Sequence, residues 1–173
     1  MKKALIWIIS IIIVIGVVVG TILLLNNSNN SINNYDYEKI IGKSFTMADN
    51  SYIVFKDNKR FIWYKTKEDK DNNYYEGTYT VYRGENAIRY ISNELTIYAV
   101  TEQEQRDLIE RNSEWQLDNY FNINLHNERA FINNEETKMN LDTNYFGFAN
   151  NDYTYFDIAN MKTSNYTSMT LDK

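Results

Sequence analysis

The sequence predicts a mainly β protein of the α+β class. An N-terminal transmembrane helix precedes an antiparallel β-barrel or curved sheet of roughly seven to nine strands, which carries a two-helix insertion. Three observations support this prediction. Residues 4–25 form one apolar run, and short segments of alternating apolar and polar residues, separated by turn-forming residues, fill most of the chain beyond residue 37. Between residues 85 and 112 the apolar residues recur with the period of a helix instead.

The apolar run, ALIWIISIIIVIGVVVGTILLL, contains no charged residue. A bilayer core of about 30 Å is crossed by about 20 helical residues, so the run is long enough to span it. The alternative is a cleaved signal peptide, whose apolar region has only about 7–15 residues and ends at small residues before the cleavage site. The following residues, LLLNNSNN, offer no such site. We therefore predict an uncleaved membrane anchor at residues 4–25.

The flanking charges predict the orientation of this span. Lys2 and Lys3 precede it, and the first positive charge after it is Lys39. The positive-inside rule then makes residues 1–3 a cytoplasmic stub and places the rest of a single-pass plasma-membrane protein outside. Residues 26–36, rich in asparagine, are predicted to be a flexible tether. Residues 37–173 form the predicted extracytoplasmic β-rich domain, which is long enough for a core of its own.

Two glycines within the span suggest a second role for it. Gly16 and Gly20 lie one turn apart on one helix face, in a sequence that resembles the dimerisation face of glycophorin-type helices. This face predicts a homodimer through the span, or an accessory subunit that docks on a larger membrane protein. Glycine is also common in membrane helices that do not associate, so that alternative stays open.

The first strands of the outer domain are predicted between residues 51 and 84. SYIVFK and RFIWYK flank Asp57-Asn58-Lys59 and predict a hairpin whose two faces are both apolar. The next strand, YYEGTYTVYRG, alternates with a period of two. We expect Tyr75 and Tyr79 in the core and Tyr74 and Tyr82 on the exposed face. Gly77 in the middle of this strand predicts a bend or a bulky neighbour.

A helical pair is predicted next, followed by the remaining strands. Ile88, Ile91, Leu95 and Tyr98 recur at helical spacing, and Thr101 with Glu104 matches a capping box for a second helix that ends at Asn112. Residues 118–133 predict a strand that turns at 126–129. Residues 143–159 predict a hairpin across 150–152, and residues 164–172 predict a closing strand.

Several short motifs carry a resemblance to known proteins. Gly42-Lys-Ser-Phe, YIVFKDN and GTYTV resemble small lipocalin-like domains of bacterial surface proteins, which implies a half-filled barrel. YYEGTYTVYRGENAIRYI together with VTEQEQRDLIERN is similar to membrane-anchored surface proteins of clostridial type that have no assigned activity. The abundance of Asn, Lys, Ile and Tyr is likewise typical of low-GC Gram-positive bacteria. Known lipocalins lack a helical pair in the middle of the sheet, so a curved sheet stays the alternative to a closed barrel.

The composition disfavours several kinds of function. The chain has no cysteine and one histidine, which leaves zinc sites and Ser-His-Asp triads short of residues. Its formal net charge of −5 disfavours nucleic acid as a partner, because nucleic-acid binding requires a basic surface. No phosphate-binding or dinucleotide-binding motif occurs. We therefore predict no cofactor and no metal.

Three acidic or histidine-containing segments are candidate sites. Asp69, Asp71 and Asn73 begin like a calcium-binding loop, but the glycine and glutamate that such a loop requires later are missing, which favours a solvated loop. We expect His126 to lie in an exposed turn without an oriented partner. Glu135 and Glu136 are adjacent, and neighbours in a strand face opposite sides, so they do not form the carboxylate pair of a glycosidase.

Aromatic residues remain the best candidates for recognition. The chain contains 15 Tyr, 8 Phe and 3 Trp. Such rings favour packing in strands and can also stack on sugars or line a cavity. The candidate ligand-binding residues are Trp63, Tyr74, Tyr79 and Tyr82. The predicted function is a non-enzymatic, membrane-anchored extracytoplasmic module that binds a protein partner, an envelope glycan or a small apolar ligand. The alternatives are the accessory subunit and a carboxylate-dependent envelope hydrolase.

Overall fold

The computed structural model describes residues 37–133 and 135–172. The predicted stub, span and tether, including Gly16 and Gly20, lie outside these residues. Within the described part of the chain, no helix is both long and apolar enough to cross a membrane. The described residues belong to one compact unit, residues 34–173.

Eight antiparallel strands form a closed barrel in which each strand pairs with the next along the chain and β8 pairs with β1. The curved-sheet alternative is therefore excluded, and the predicted barrel with a helical insertion is confirmed. The strands are β1 (Ser44–Met47), β2 (Tyr52–Phe55), β3 (Arg60–Tyr64), β4 (Asn73–Arg83), β5 (Tyr120–Ile132), β6 (Glu135–Ala149), β7 (Tyr155–Asn160) and β8 (Tyr166–Leu171). Two helices, α1 (Glu85–Asn93) and α2 (Glu102–Glu110), lie in the connection between β4 and β5.

The core fills one end of the barrel with aromatic and branched side chains. Phe45 contacts Phe55 and Phe156 edge-on, with ring centroids 6.0 and 5.4 Å apart. Ile40, from the segment that leads into β1, is fully buried in the same core, and the Lys39 ammonium lies 4.6 Å from the centroid of the ring of Tyr153 in the β6–β7 turn. We call this the closed end. Because the seam is hydrogen-bonded and these core residues all belong to the unit 34–173, we expect this unit to fold without the segment that precedes it.

Gly77 marks the bend predicted for β4. A Cβ atom at this position would lie 1.8 Å from the backbone oxygen of His126, and the pairing register of β4 and β5 shifts between Glu76 and Gly77. The neighbour that excludes a side chain is thus the backbone of β5 itself. Glycine allows the two strands to approach closely where the barrel wall bends.

The turn predicted at residues 126–129 is wrong. β5 runs through this segment without a break, and a bulge between Asn127 and Arg129 takes the place of the turn. The polar residues that suggested a turn have two separate roles here. His126 and Arg129 face the outside of the barrel, while Asn127 is buried and satisfies the backbone at the bulge.

The helical pair packs on the outer face of β4 and β5. The predicted capping box is present, since Thr101 and Glu104 accept hydrogen bonds from each other's backbone N–H groups. Tyr90 of α1 stacks on Tyr82 of β4 with ring centroids 3.9 Å apart. Tyr82 is therefore buried, and the prediction that it is exposed is wrong, because the helices cover the face that the strand pattern alone assigns to solvent.

Candidate ligand cavity at the open end of the barrel

A cavity of about 630 Å³ opens at the end of the barrel opposite the closed end, and we call it the mouth cavity. Its wall comes from the β1–β2 turn, the end of β3, the start of β4, the end of β5 and the first half of β6. The lining residues are Asp49, Ser51, Trp63, Tyr64, Lys65, Asn73, Tyr75, Asn127, Ile132, Met139, Leu141, Thr143 and Tyr145. This volume lies within the range of sites that hold small organic molecules.

Trp63 and Tyr145 form the floor of the mouth cavity. Their ring centroids are 5.9 Å apart, and both side chains pack on the core. Beneath them, among the core side chains, a gap of only about 10 Å³ remains. The barrel is thus filled below these two rings and open above them.

Apolar side chains line the walls above this floor and stay accessible to water. Tyr75 is 40% exposed, Ile132 41% and Leu141 46%, and Met139 is half-buried beside them. These side chains come from three adjacent strands and converge on one space. An apolar surface that remains wet in a folded domain gains free energy when a ligand covers it, at about 25 cal/mol per Å².

Polar contacts fix one side of the floor. The indole N–H of Trp63 donates to Ser51 Oγ at 2.8 Å, and the Ser51 hydroxyl donates to Asp49 Oδ1 at 2.6 Å. The same oxygen accepts the backbone N–H of Ser51 at 2.9 Å.

Burial raises the pKa of the nearby Tyr145 phenol. A hydrogen bond with Asn160 lowers this pKa, and the negative charge of Asp49 raises it. Tyr145 is therefore a neutral hydroxyl at physiological pH.

Asn127 holds the opposite wall in place. Its side-chain amide donates to the backbone oxygens of Leu125 and Leu141, at 3.2 and 3.0 Å, and to Thr143 Oγ1 at 3.2 Å. These bonds satisfy backbone groups where the bulge interrupts the pairing of β5 and β6. Asn127 is buried and lines the cavity, so it couples the shape of the bulge to the shape of the wall.

The structure places the four predicted ligand-binding aromatics in different environments. Trp63 lines the mouth cavity. Tyr79 is buried in the core, where its hydroxyl donates to the backbone oxygen of Lys56 at 3.0 Å, and Tyr82 lies under α1. Tyr74 is half-buried on the outer face. Tyr75, expected in the core, lines the cavity instead: it does point inward, but it lies near the open end of β4, where the core stops.

Tyr74 belongs to a row of rings across four strands on the outside of the barrel. Tyr52, Tyr64, Tyr74 and Phe131 are directly paired in register, with successive ring centroids 6.3, 5.8 and 4.6 Å apart. The ammonium groups of two lysines in the β3–β4 loop lie within 6 Å of the first rings of this row. Cross-strand pairs of this kind stabilise a sheet, so most of the tyrosine-rich stretch serves the fold.

Acidic and histidine side chains do not converge on the mouth cavity. Asp49 is the one carboxylate among its described lining residues, so a two-carboxylate mechanism has no second acid there. His126 Nδ1 lies 2.8 Å from Asp142 Oδ1, which gives the histidine the oriented partner that was not expected. Both side chains lie on the outer face and neither lines the cavity. Across residues 37–133 and 135–172, no three His, Asp or Glu side chains are grouped to hold a metal ion.

Comparisons of the chain with protein-family models, with curated proteins and with solved structures gave no significant match. The resemblance to clostridial-type and lipocalin-like proteins therefore stays a prediction from short motifs. The mouth cavity and its chemistry are the basis for the functional argument.

Proposed function

We propose that this protein is a non-enzymatic binding module of a bacterial cell envelope, held at the plasma membrane by residues 4–25, that takes a small ligand in its mouth cavity. The observation that carries the proposal is the half-filled barrel: a closed core ends at Trp63 and Tyr145, and a water-accessible, mainly apolar space of about 630 Å³ lies above them. A chain that needed only stability would gain by filling this space, because unfilled apolar surface forfeits packing energy.

The lining residues describe the ligand. At about 30 Å³ per water-sized group, the cavity holds roughly 20 non-hydrogen atoms. Tyr75, Ile132, Met139 and Leu141 favour an apolar or aromatic body, with the Trp63 ring beneath it. The Asp49–Ser51 pair and Asn127 supply hydrogen-bonding groups at the edges of the floor. The ligand class is therefore a small, mainly apolar molecule with one or two polar groups. At about −0.3 kcal/mol per atom, its binding free energy is near −6 kcal/mol, a Kd of tens of micromolar.

The test uses residues 34–173 and a neutral, polarity-sensitive fluorescent probe, N-phenyl-1-naphthylamine. We expect saturable binding with a stoichiometry near one. A Trp115→Phe background leaves Trp63 as the one tryptophan of this unit, so its emission reports directly on occupation of the cavity floor.

Two matched substitutions locate the binding site. Ile132→Asp places a carboxylate on the cavity wall and is expected to weaken probe binding at least tenfold. Ile97→Asp makes the same change at a residue that is 85% exposed and outside the cavity, and is expected to leave it unchanged. Absence of saturable binding, or equal affinity in the two variants, would contradict the proposal. Both sites are exposed enough that the variants should fold, which circular dichroism checks.

The location of the module is tested separately in intact cells. The chain has no cysteine, so Lys162→Cys introduces a single thiol in the β7–β8 turn. We expect this thiol to react with a membrane-impermeant maleimide in intact cells, and the protein to stay with the membrane fraction after washing with salt. Labelling only after lysis would place the barrel in the cytoplasm and would contradict the proposed orientation.

A further inference from the structure

Among the residues that the structure describes, the first half of β6 has a neighbouring strand on one side only. β7 ends at Asn160, which pairs with Tyr145, and the last hydrogen bond on that side joins the Met161 N–H to the Asn144 oxygen at 2.9 Å. Residues 135–138 and 141–143 pair with β5 on their other side, and the pairing register shifts between these two groups at the β5 bulge. We call the backbone of residues 137–143 that faces away from β5 the β6 edge. Uncovered strand edges of this length are sites where another strand pairs.

The alternation of β6 determines which residues offer their backbone to this edge. Met139, Leu141, Thr143 and Tyr145 all line the mouth cavity, so odd-numbered side chains point inward along this segment. In a regular strand, residues of one parity turn their N–H and C=O groups to the same neighbour. Asn144 turns its oxygen toward the β7 side. Lys138, Asn140 and Asp142 therefore present their backbone groups on the β6 edge, with their side chains exposed outside.

The residues of the β6 edge are complementary to a second copy of themselves. In an antiparallel pair centred on Asn140, Lys138 faces Asp142 of the other copy, and Asp142 faces Lys138. On the inner face Met139 meets Leu141, and Leu141 meets Met139. Opposite charges and apolar pairs placed directly across from each other are the favourable cross-strand combinations. The arrangement is isologous, as a two-fold dimer requires.

Lys138 has no ion-pair partner among the described residues, and its side chain is exposed. A lysine on an edge strand also discourages pairing in general. Here Asp142 lies four residues further along the same edge. A second copy in this register places Asp142 opposite Lys138, whereas a strand without an acidic residue there would leave Lys138 unpaired. Asp142 keeps one carboxylate oxygen on His126, and its side chain remains 59% exposed, which leaves the group accessible to a lysine.

We propose that the barrel forms a two-fold dimer by antiparallel pairing of the β6 edges of two copies, centred on Asn140. About six backbone hydrogen bonds join the two strands. Met139 and Leu141 of each copy extend the apolar wall of the other copy's mouth cavity, so the dimer joins the rims of two binding sites. This contact is independent of the predicted association of the membrane spans.

Charge substitutions in residues 34–173 test the pairing by sedimentation equilibrium. We expect a concentration-dependent monomer–dimer equilibrium for the unmodified chain. Lys138→Asp sets two aspartates opposite each other twice and should weaken the dimer about tenfold or more. The exchanged variant, Lys138→Asp with Asp142→Lys, restores opposite charges and should return to within about threefold of the original affinity. If Lys138 instead serves only to prevent strand pairing at this edge, Lys138→Asp will associate at least as strongly as the original chain. That result would contradict the proposal.

Cysteine cross-linking identifies the register. The residue on the two-fold axis faces itself at about 5.5 Å between Cα atoms, which a disulfide can bridge. Asn140→Cys should therefore cross-link rapidly on mild oxidation, whereas the neighbouring exposed variant Asp142→Cys, whose counterpart lies four residues away, should not. The proposal is overturned if the unmodified chain stays monomeric up to several hundred micromolar. It is also overturned if the two cysteine variants cross-link at equal rates.

Discussion

Tyr120 links the helical pair to the barrel through a buried hydrogen bond. Its hydroxyl donates to Gln105 Oε1 at 2.9 Å, and neither side chain is more than 3% exposed. The Gln105 amide in turn donates to Ser92 Oγ at 2.8 Å and to the Ile88 oxygen at 3.1 Å. One buried polar chain thus links β5, α2 and α1.

Tyr120→Phe removes only the donor and leaves Gln105 Oε1 buried without one. An unsatisfied buried acceptor costs about 1–3 kcal/mol. For a unit of roughly 140 residues, with an unfolding entropy of about 2.1 cal/mol/K per residue, this corresponds to a fall in Tm of about 3–10 °C. Tyr155→Phe is the matched control, since Tyr155 is 42% exposed, and we expect its Tm to change by less than about 1 °C.

The same residue predicts a dependence on alkaline pH. Burial raises the pKa of the Tyr120 phenol far above its ordinary value of 10.0. A folded-state pKa above the unfolded value means that the neutral phenol's contribution to stability is complete below pH 10 and is lost as the pH rises toward the raised pKa. Tyr120→Phe should therefore lose less stability between pH 9 and pH 11 than the original chain.

Thermal unfolding followed by circular dichroism measures both effects in residues 34–173. A Tm for Tyr120→Phe within about 1 °C of the original would refute the reasoning. A loss of stability between pH 9 and pH 11 equal to that of the original chain would also refute it, because the hydroxyl would then not be buried against Gln105 as the structure has it.

Two further predictions concern the barrel wall and the helix contact. Gly77→Ala should destabilise the domain strongly, because its Cβ would lie 1.8 Å from the His126 backbone oxygen; Gly42→Ala, with open space but a φ of +70°, should cost only about 1 kcal/mol in urea unfolding. The bidentate hydrogen bonds from Arg106 lower the pKa of Glu85. The Glu85 carboxylate therefore contributes to stability above the ordinary carboxylate pKa, and this contribution is lost as the pH falls through the lowered pKa of the folded state. Glu85→Gln should therefore reduce the loss of Tm between pH 6 and pH 3.

Local patterns were sufficient to predict most of the strands and both helices. The hairpin at residues 57–59, the capping box at Thr101 and the hairpin at residues 150–152 all depend on short-range chemistry, and the structure has each of them. The prediction of a turn at residues 126–129 was wrong because a polar segment on the outer face of a long strand has the same composition as a turn. Local patterns do not predict barrel closure, since the pairing of β1 with β8 joins distant parts of the chain.

The candidate site was harder to predict. Period-two alternation shows whether a side chain points into or out of the barrel, but it does not show how far along the barrel axis the side chain lies. Tyr75 and Tyr79 both point inward, yet the first lines the cavity and the second is in the core. Tyr82 was assigned to solvent because no strand pattern shows that a helix will cover it. The position of Tyr75 near the start of β4, away from the core residues of that strand, was the one sign that it lines the cavity.

The seam between β1 and β8 has a consequence for how the chain acquires its structure. Phe45 of β1 pairs with Leu171 of β8, so β8 must be synthesised before β1 is paired on both sides. Closing a loop that long is an entropic barrier and predicts slow folding relative to proteins with local contacts. Until then the unpaired strands are prone to join other chains. Deletion of residues 166–173 should therefore yield aggregates rather than a smaller stable barrel.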